Sequence, residues 1–185
     1  LRRVEDTVKI IAGSAKGRPI KAPASGTRPM TGRVRESLFS IIAGRLAQAR
    51  VLDLYAGSGS MGLEALSRGA ESCVFVERGN RATKVLEDNV AKVGLGGTIL
   101  STTVESAIAK LDGPFDIIFI DPPYAHDDPT VGAVLERAEP LLAIDGLVVL
   151  HREAASEVLV PEFLTCVDQR RYGDAVLTMM ERSDT

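Results

Sequence analysis

Residues 51–62 read VLDLYAGSGSMG, and this stretch predicts the class of fold. Its first five residues are apolar apart from one acid, which predicts a short buried strand that ends near Tyr55. The glycine-rich turn after it leads into an apolar segment, which predicts a helix through about Ser67. A strand, a GxGxxG turn and a helix in this order are typical of α/β proteins that bind a nucleoside cofactor.

The segments downstream of this unit continue the alternation. The predicted strands are 73–76, 98–102, 116–121 and 146–150, and the predicted helices are 80–93, 104–111 and 130–142. Such alternation predicts an α/β fold with a doubly wound, mostly parallel, seven-stranded sheet. Residues 164–171 and 175–180 are also strand-like, and the Tyr-Gly-Asp between them is too short for a helical crossover. They predict an antiparallel hairpin at the carboxyl end.

The segment before residue 51 has a different character. Residues 9–13 and 17–21 predict a small basic β-hairpin, and residues 23–29 form a connector rich in Pro, Gly and Ser. Apolar residues at helical spacing predict an amphipathic helix over 31–45 with Thr31 as its N-cap. We therefore expect two parts: an N-terminal extension over residues 1–30 and a main domain over residues 31–185.

Charge is distributed unevenly along the 185 residues. The net charge is −3, yet residues 1–50 contain 11 Lys or Arg and only three acidic residues, a net +8, which leaves −11 for the remainder. This asymmetry indicates an arm that binds a polyanion, with a merely solvated arm as the alternative. The candidate polyanion-binding residues are Lys16, Arg18, Lys21, Arg28, Arg33 and Arg35.

The cysteines and the hydropathy pattern indicate the cellular compartment. Cys73 and Cys166 lie in apolar runs without metal-ligand spacing, which indicates free thiols in a reducing cytosol. No stretch approaches the roughly 20 apolar residues of a membrane span. The start of the sequence also lacks the apolar run of a signal peptide. We expect a cytoplasmic protein.

The glycine loop predicts a cofactor. Glu77 lies 20 residues beyond Gly57 at the end of the second strand of the α/β unit, where an acid binds ribose hydroxyls. These features are compatible with NAD. Asp53, however, is an acid in the first strand, and it would repel a pyrophosphate bound nearby. The loop is therefore better suited to S-adenosylmethionine, which carries a sulfonium, an amino group and a ribose but no phosphate.

Residues 115–124, FDIIFIDPPY, form the second chemical motif. The apolar run ends at Asp121, and Pro122 cannot donate to a sheet ladder. The carboxylate is thus fixed at the carboxyl end of a strand, where ligands bind in open α/β sheets. A strand running into a proline turn is the simpler interpretation, but that interpretation gives Tyr124 no role.

Other chemistries have little support in this sequence. Asp127 and Asp128 follow the motif but are adjacent and unconstrained, so we expect no metal site. His126 and His151 are single histidines without a triad partner in the sequence, which argues against nucleophilic hydrolysis.

The glycine loop together with Asp121-Pro122-Pro123-Tyr124 resembles the class I methyltransferases that modify exocyclic amino groups of nucleobases, whose motif is [DNS]-P-P-[YFW]. The resemblance implies that Asp121 and the carbonyl of Pro122 accept hydrogen bonds from the amino group and that Tyr124 stacks on the base. It implies four catalytic-motif residues: Asp121, Pro122, Pro123 and Tyr124. The expected cofactor-binding residues are Asp53, Tyr55, Ala56, Gly57, Ser58, Gly59, Glu77, Arg78, Thr103 and Val104.

Further blocks of the sequence resemble the bacterial RsmD family, which methylates N2 of a guanine in 16S ribosomal RNA. The matching blocks are IIAG at 10–13, KGR at 16–18, TRP at 27–29, RVRESLF at 33–39, DLYAGSG at 53–59, FVE at 75–77 and YGD at 172–174. The resemblance implies S-adenosylmethionine as cofactor. It also implies that 16S ribosomal RNA, or the small ribosomal subunit as an assembly intermediate, is the partner, and that the basic hairpin grips RNA phosphates. A monomer is expected.

Two departures and three alternatives accompany this interpretation. Met30 and Gly32 stand where the family often has Thr and Asp, and Thr103-Val104 replaces an acid common near the cofactor adenine. A DNA adenine-N6 methyltransferase shares the DPPY motif. An NAD-dependent oxidoreductase would use the GxGxxG turn and leave DPPY without a role. A noncatalytic RNA-binding module would bind RNA without turnover.

Overall fold

The protein forms a seven-stranded sheet flanked by helices, with a two-stranded hairpin at its amino end. The computed structural model describes residues 7–22 and 30–183. The strands are β1 (Thr7–Lys9), β2 (Pro19–Lys21), β3 (Arg50–Leu54), β4 (Ser72–Glu77), β5 (Thr98–Ser101), β6 (Phe115–Ile120), β7 (Leu142–Glu153), β8 (Leu164–Tyr172) and β9 (Ala175–Arg182). The α-helices are α1 (Gly32–Ile41), α2 (Ser60–Ser67), α3 (Asn80–Val93), α4 (Val104–Ile108) and α5 (Asp128–Arg137).

The main sheet has the order β5-β4-β3-β6-β7-β9-β8. Its first five strands are parallel, and β9 pairs antiparallel with both β7 and β8. This confirms the predicted doubly wound sheet and the carboxyl-terminal hairpin. The strand order reverses between β3 and β6, and in open α/β sheets the crevice for a ligand lies at such a reversal.

The central strands are buried on both faces, as their nearly continuous apolar runs require. On β6, Ile117 and Phe119 belong to one core cluster, whereas Ile118 and Ile120 belong to the cluster on the opposite face. Parallel pairing sets Leu54 beside Ile120. The residues that follow these two, Tyr55 and Asp121, therefore emerge next to each other at the same edge of the sheet.

Several element boundaries differ from the predictions. The hairpin strands are Thr7–Lys9 and Pro19–Lys21 rather than 9–13 and 17–21, and the helix predicted over 104–111 ends at Ile108. The helix predicted over 31–45 ends at Ile41 and continues as a 3-10 turn over Ala43–Arg45, although Thr31 caps it as expected and accepts from the Val34 amide. The helix predicted over 130–142 starts earlier, because Asp127 caps α5 by accepting from the Thr130 amide at 3.0 Å. Strand β7 extends to Glu153, since it pairs with β9 along its outer side.

The amino-terminal hairpin shares the core of the main domain. Ile10, Ala15 and Ile20 are buried in the cluster that contains α2 and α3 residues. The Glu64 carboxylate on α2 accepts the Ile11 and Ala12 amides at 2.7 and 3.0 Å. The division into residues 1–30 and 31–185 stays a prediction. Among the described residues, no helix combines the length and apolarity needed to cross a bilayer.

Candidate active site

A cavity of about 260 Å³ opens at the carboxyl ends of β3, β4 and β6. It brings together the glycine loop and the DPPY motif, which are more than sixty residues apart in the sequence. The expected site residues that line it are Tyr55, Ala56, Gly57, Ser58, Glu77, Arg78, Thr103, Val104, Asp121, Pro122, Pro123 and Tyr124. Two expected cofactor residues, Asp53 and Gly59, are not part of this lining.

The loop between β3 and α2 turns through left-handed conformations. Tyr55, Gly57 and Gly59 have φ values of 61°, 55° and 78°. A side chain at Gly59 would also clash, because its Cβ would lie 2.4 Å from Leu86 Cδ1. The tight turn lets the backbone of residues 56–58 face the cavity, while Gly59 packs against α3.

Glu77 holds the glycine loop in place. Its Oε2 accepts a hydrogen bond from the Gly57 amide at 3.0 Å, and its Oε1 accepts one from the Gly79 amide at 2.7 Å. In a dinucleotide site the amides of the glycine loop face a pyrophosphate. Here the first of them faces a carboxylate, which would repel a phosphate. The geometry favours a cofactor without phosphate over NAD.

Asp53 lies beneath the loop. It is 1% exposed, and its Oδ2 accepts the Gly62 amide in the first turn of α2 at 2.9 Å. Burial raises the pKa of this carboxyl to about 7, with Asp121 and Glu77 adding to the rise and the Gly62 amide opposing it. The side chain therefore supports the start of α2, and its part in binding a cofactor stays a prediction.

Asp121 is held by a residue that the sequence did not reveal. His151 lies near the carboxyl end of β7, and its Nδ1 atom is 2.7 Å from Asp121 Oδ1. His151 is 4% exposed, whereas the Asp121 side chain is 32% exposed and faces the cavity. The buried histidine thus anchors one oxygen of the predicted catalytic carboxylate.

Arg152, the next residue of β7, anchors the far end of the DPPY loop. Its Nη2 donates to the His126 carbonyl at 2.9 Å and to Asp128 Oδ1 at 3.0 Å. The loop also closes on itself, because the His126 amide donates to the Pro123 carbonyl at 2.9 Å. Tyr124 lies within this closed loop and is 37% exposed. Two adjacent residues of β7 therefore hold both ends of the loop that carries Tyr124.

Tyr55 and His126 form the wall between the two motifs. Their rings meet edge to face with centroids 5.4 Å apart. Burial, with a smaller contribution from the Glu105 charge and against the opposing effect of Arg78, raises the pKa of the Tyr55 hydroxyl to about 12. The Tyr55 hydroxyl and His126 Nδ1 are buried without a hydrogen-bond partner within residues 7–22 and 30–183. Such buried polar atoms are suited to the polar groups of a bound ligand.

The predicted RNA-binding residues occupy different environments. Lys16 and Arg33 are exposed and Lys21 is half-buried. Arg18 is exposed, and its guanidinium donates to the Val93 carbonyl at the end of α3. Arg28 lies outside the described residues.

Arg35 does not lie on the surface. Its side chain is 1% exposed, and its Nη2 donates to the Lys9 carbonyl at 2.6 Å. Burial lowers the pKa of this guanidinium, and the Arg68 charge lowers it further against the opposing effect of Glu64. A side chain this enclosed cannot reach a phosphate, so the prediction that Arg35 binds RNA is wrong. Arg35 instead ties α1 to the hairpin.

Sequence reasoning also missed several residues of the cavity. These are Met30, Ser60, Val76, Ala82, Thr102, Glu105 and His126. His126 could have been suspected, since it follows the DPPY motif by two residues. Glu105 is an acid beside Thr103-Val104, the place where a departure from the family pattern was noted. His151 carried no local signal, because only strand pairing sets it beside Asp121.

The comparisons with known proteins agree with this geometry. The family described as Conserved hypothetical protein 95 matches residues 8–181. YlbH of Bacillus subtilis (strain 168) is 37% identical over 180 residues, covering 94% of this chain and 92% of YlbH. Ribosomal RNA small subunit methyltransferase D of Haemophilus influenzae is 30% identical over 172 residues, covering 90% of this chain and 89% of that protein.

Solved structures show the same similarity in three dimensions. The structure of yhhF from Escherichia coli superposes with a TM-score of 0.87 at 30% identity, covering 96% of this chain and 98% of that one. The family match, the relatives and the paired glycine-loop and DPPY motifs lead to one assignment. The chain belongs to the Conserved hypothetical protein 95 family, which is the RsmD family of methyltransferases.

Proposed function

We propose that this protein transfers a methyl group from S-adenosylmethionine to the exocyclic N2 amino group of a guanine in small-subunit ribosomal RNA. The observation that carries the proposal is the shared cavity, in which the glycine loop and Asp121-Pro122-Pro123-Tyr124 face each other. The name of the Haemophilus influenzae relative supports small-subunit ribosomal RNA as the substrate. The choice of guanine N2 rests on the RsmD family resemblance.

The residues around the glycine loop fit the proposed cofactor. The Gly57 amide already donates to the Glu77 carboxylate, whose negative charge would repel a phosphate. The Tyr55 hydroxyl and His126 Nδ1 are buried polar atoms that a ligand could bind. S-adenosylmethionine, when bound, supplies an electrophilic methyl group next to a positively charged sulfur. Ser58, Arg78, Thr103 and Val104 complete the proposed cofactor contacts.

The DPPY residues orient the nucleophile. An amino nitrogen conjugated to a purine ring is a weak nucleophile, because its lone pair is delocalised into the ring. Asp121 and the Pro122 carbonyl would accept hydrogen bonds from it and direct the lone pair towards the methyl group, which is catalysis by orientation and electrostatics. Tyr124 would stack on the base, a contact worth about 1–3 kcal/mol.

Cations of the amino-terminal region would bind the RNA backbone. Lys16, Arg18, Lys21 and Arg33, together with Arg28, are the proposed phosphate contacts. The target base has to leave any helix to enter the cavity, as in other enzymes that modify bases. We further propose that the protein acts in the cytoplasm, as a monomer, on ribosomal RNA or on an assembling small subunit.

Methyl transfer can be measured directly. Purified protein is incubated with methyl-labelled S-adenosylmethionine and with either naked 16S RNA or small subunits, and the RNA is then digested to nucleosides. We expect label in N2-methylguanine. Label in N6-methyladenine, or label in DNA alone, would contradict the proposed base. Binding of NAD without methyl transfer would support the oxidoreductase alternative, and RNA binding without transfer would support the noncatalytic module.

Asp121→Ala is the matched test of the catalytic motif. We expect it to abolish detectable incorporation, while Asp112→Ala, an exposed acid outside the cavity, retains wild-type incorporation. Unchanged incorporation by Asp121→Ala would overturn the role given to this carboxylate. Circular dichroism of both variants would verify that each is folded.

A further inference from the structure

We infer that His151 is a positioning residue that sets the orientation of the Asp121 carboxylate for methyl transfer, an inference that rests on the proposed function. Sheet register brings the two side chains together. Leu150 of β7 pairs with Ile120 of β6 in parallel. The next residue on each strand is His151 and Asp121, respectively, so the two emerge side by side at the carboxyl edge of the sheet.

The contact has a defined direction. A carboxylate oxygen accepts hydrogen bonds, so the hydrogen lies on His151 Nδ1, which donates a hydrogen bond to Asp121 Oδ1, 2.7 Å away. Within the described part of the chain, Oδ2 of Asp121 has no hydrogen-bond partner. The histidine thus occupies one oxygen and leaves the other for the amino group of a bound base.

The imidazole is well placed to hold the carboxylate still. His151 is 4% exposed and lies opposite Leu177 of β9, so neighbouring strands restrict its ring. Asp121 itself is partly exposed, and Pro122 restricts its backbone but not its side-chain rotation. The hydrogen bond from His151 supplies the missing restraint. Small errors in the position of a group that orients a nucleophile can cost about 100-fold in rate.

Two substitutions of His151 separate the donor from the bulk of the ring. His151→Leu removes the donor, and we expect kcat for methyl transfer to fall about 10- to 100-fold while KM for S-adenosylmethionine changes less than about threefold. His151→Asn places an amide Nδ2 at the same number of bonds from Cα as Nδ1. We expect it to retain kcat within about fivefold of the wild type.

A packing variant controls for lost stability. Leu177→Ala removes buried bulk beside His151 without touching the donor, so we expect a lower melting temperature and an unchanged kcat wherever the protein remains folded. All variants are assayed at a temperature where circular dichroism shows them folded. A purely structural role for His151 would make His151→Leu behave like Leu177→Ala.

The outcomes distinguish this inference from the proposed function. If the wild type methylates RNA, and His151→Leu keeps its kcat or His151→Asn loses as much as His151→Leu, then the positioning role is wrong and the proposed function stands. A wild type that transfers no methyl group to any RNA tested would overturn the proposed function and the inference together.

Discussion

Asp53 and Glu77 lie on neighbouring parallel strands, yet their carboxyl groups have different surroundings. Glu77 is partly exposed and accepts two backbone amides, one on each oxygen. Asp53 is buried and accepts one amide, from Gly62. Because burial penalises the ionised form, the pKa of Asp53 rises to about 7 while the group still supports α2.

Asp53 makes stability depend on pH in a defined window. Its pKa is 3.8 without burial and about 7 in the folded chain. Between these two pH values the folded state therefore binds more protons than the unfolded state. The free energy of unfolding that this group contributes is fully present below pH 3.8 and is lost as the pH rises through 7. Asp53→Asn keeps an acceptor for Gly62 and removes the charge.

We expect Asp53→Asn to be more stable than the wild type at pH 8 and nearly equal to it at pH 4. The gain at pH 8 has an upper limit of about 4 kcal/mol, since one pKa unit corresponds to about 1.4 kcal/mol. Urea unfolding at several pH values measures it. Asp112→Asn, an exposed change of the same kind, should alter stability little at any pH. A gain from Asp53→Asn that is the same at pH 4 and pH 8 would contradict the assignment.

Helix α2 approaches strand β4 so closely that one position tolerates no side chain. A Cβ at Gly62 would lie 2.3 Å from Phe75 Cε1 and 2.5 Å from Cys73 Sγ, and both partners are buried. The approach lets the start of α2 reach the Asp53 carboxylate and fixes the end of the glycine loop. Asn89 on α3 fixes the same loop from another side, by donating to the Ser58 carbonyl at 2.9 Å.

Gly62→Ala tests this packing. Alanine favours a helix over glycine by about 1 kcal/mol, but forcing a methyl group into a packed core costs about 1–3 kcal/mol. We expect a net loss of stability of up to about 2 kcal/mol, measured by urea unfolding, together with weaker binding of S-adenosylmethionine. Gly32→Ala in the first turn of α1 meets nothing within 4 Å and should be neutral or stabilising by up to about 1 kcal/mol. A stabilised Gly62→Ala would contradict the close packing.

Across the whole molecule, the hairpin within residues 7–22 packs on α2 and α3 of the main domain. Removing residues 1–22 would take Ile10 and Ile20 out of the core and release the amides that Glu64 accepts. Such a deletion would change folding as well as RNA affinity. Charge-removing point substitutions at exposed positions therefore test the RNA surface better than truncation does.

The triple variant Lys16→Gln, Lys21→Gln, Arg33→Gln removes three cations from side chains that are at least partly exposed. Each phosphate contact contributes about 0.7 to 0.9 to the slope of log affinity against log salt. We expect the slope for RNA binding to become about 2 to 3 less steep, with the melting temperature nearly unchanged. Fluorescence titrations of labelled RNA at several salt concentrations measure it.

The control removes the same amount of charge elsewhere. Three exposed cations serve for this: Lys110, just after α4, and Arg170 and Arg171 on β8. Replacing all three with Gln should leave most of the slope of log RNA affinity against log salt intact. Equal loss of slope in both triple variants would show that net charge, rather than a localised surface, attracts the RNA.

The layered architecture and the identity of the two motifs follow from local sequence patterns. Short apolar runs alternating with helical periodicity specified the parallel sheet, and the bounds of α3 were predicted to the residue. Each of the two motifs is a continuous stretch of sequence. The chemistry of each is set by its residue types and by its position at a strand end. Local patterns of this kind carry information because strand and helix periods are local properties.

The tertiary structure alone decided which residues support those motifs. Arg35 reads as a surface cation in the sequence but is buried against the Lys9 carbonyl, and Asp53 lies below the loop. His151 is 30 residues from Asp121 yet touches it. Pairing register and long-range packing create these contacts, and neither leaves a periodic signal in the sequence, because each depends on residues that are distant along the chain.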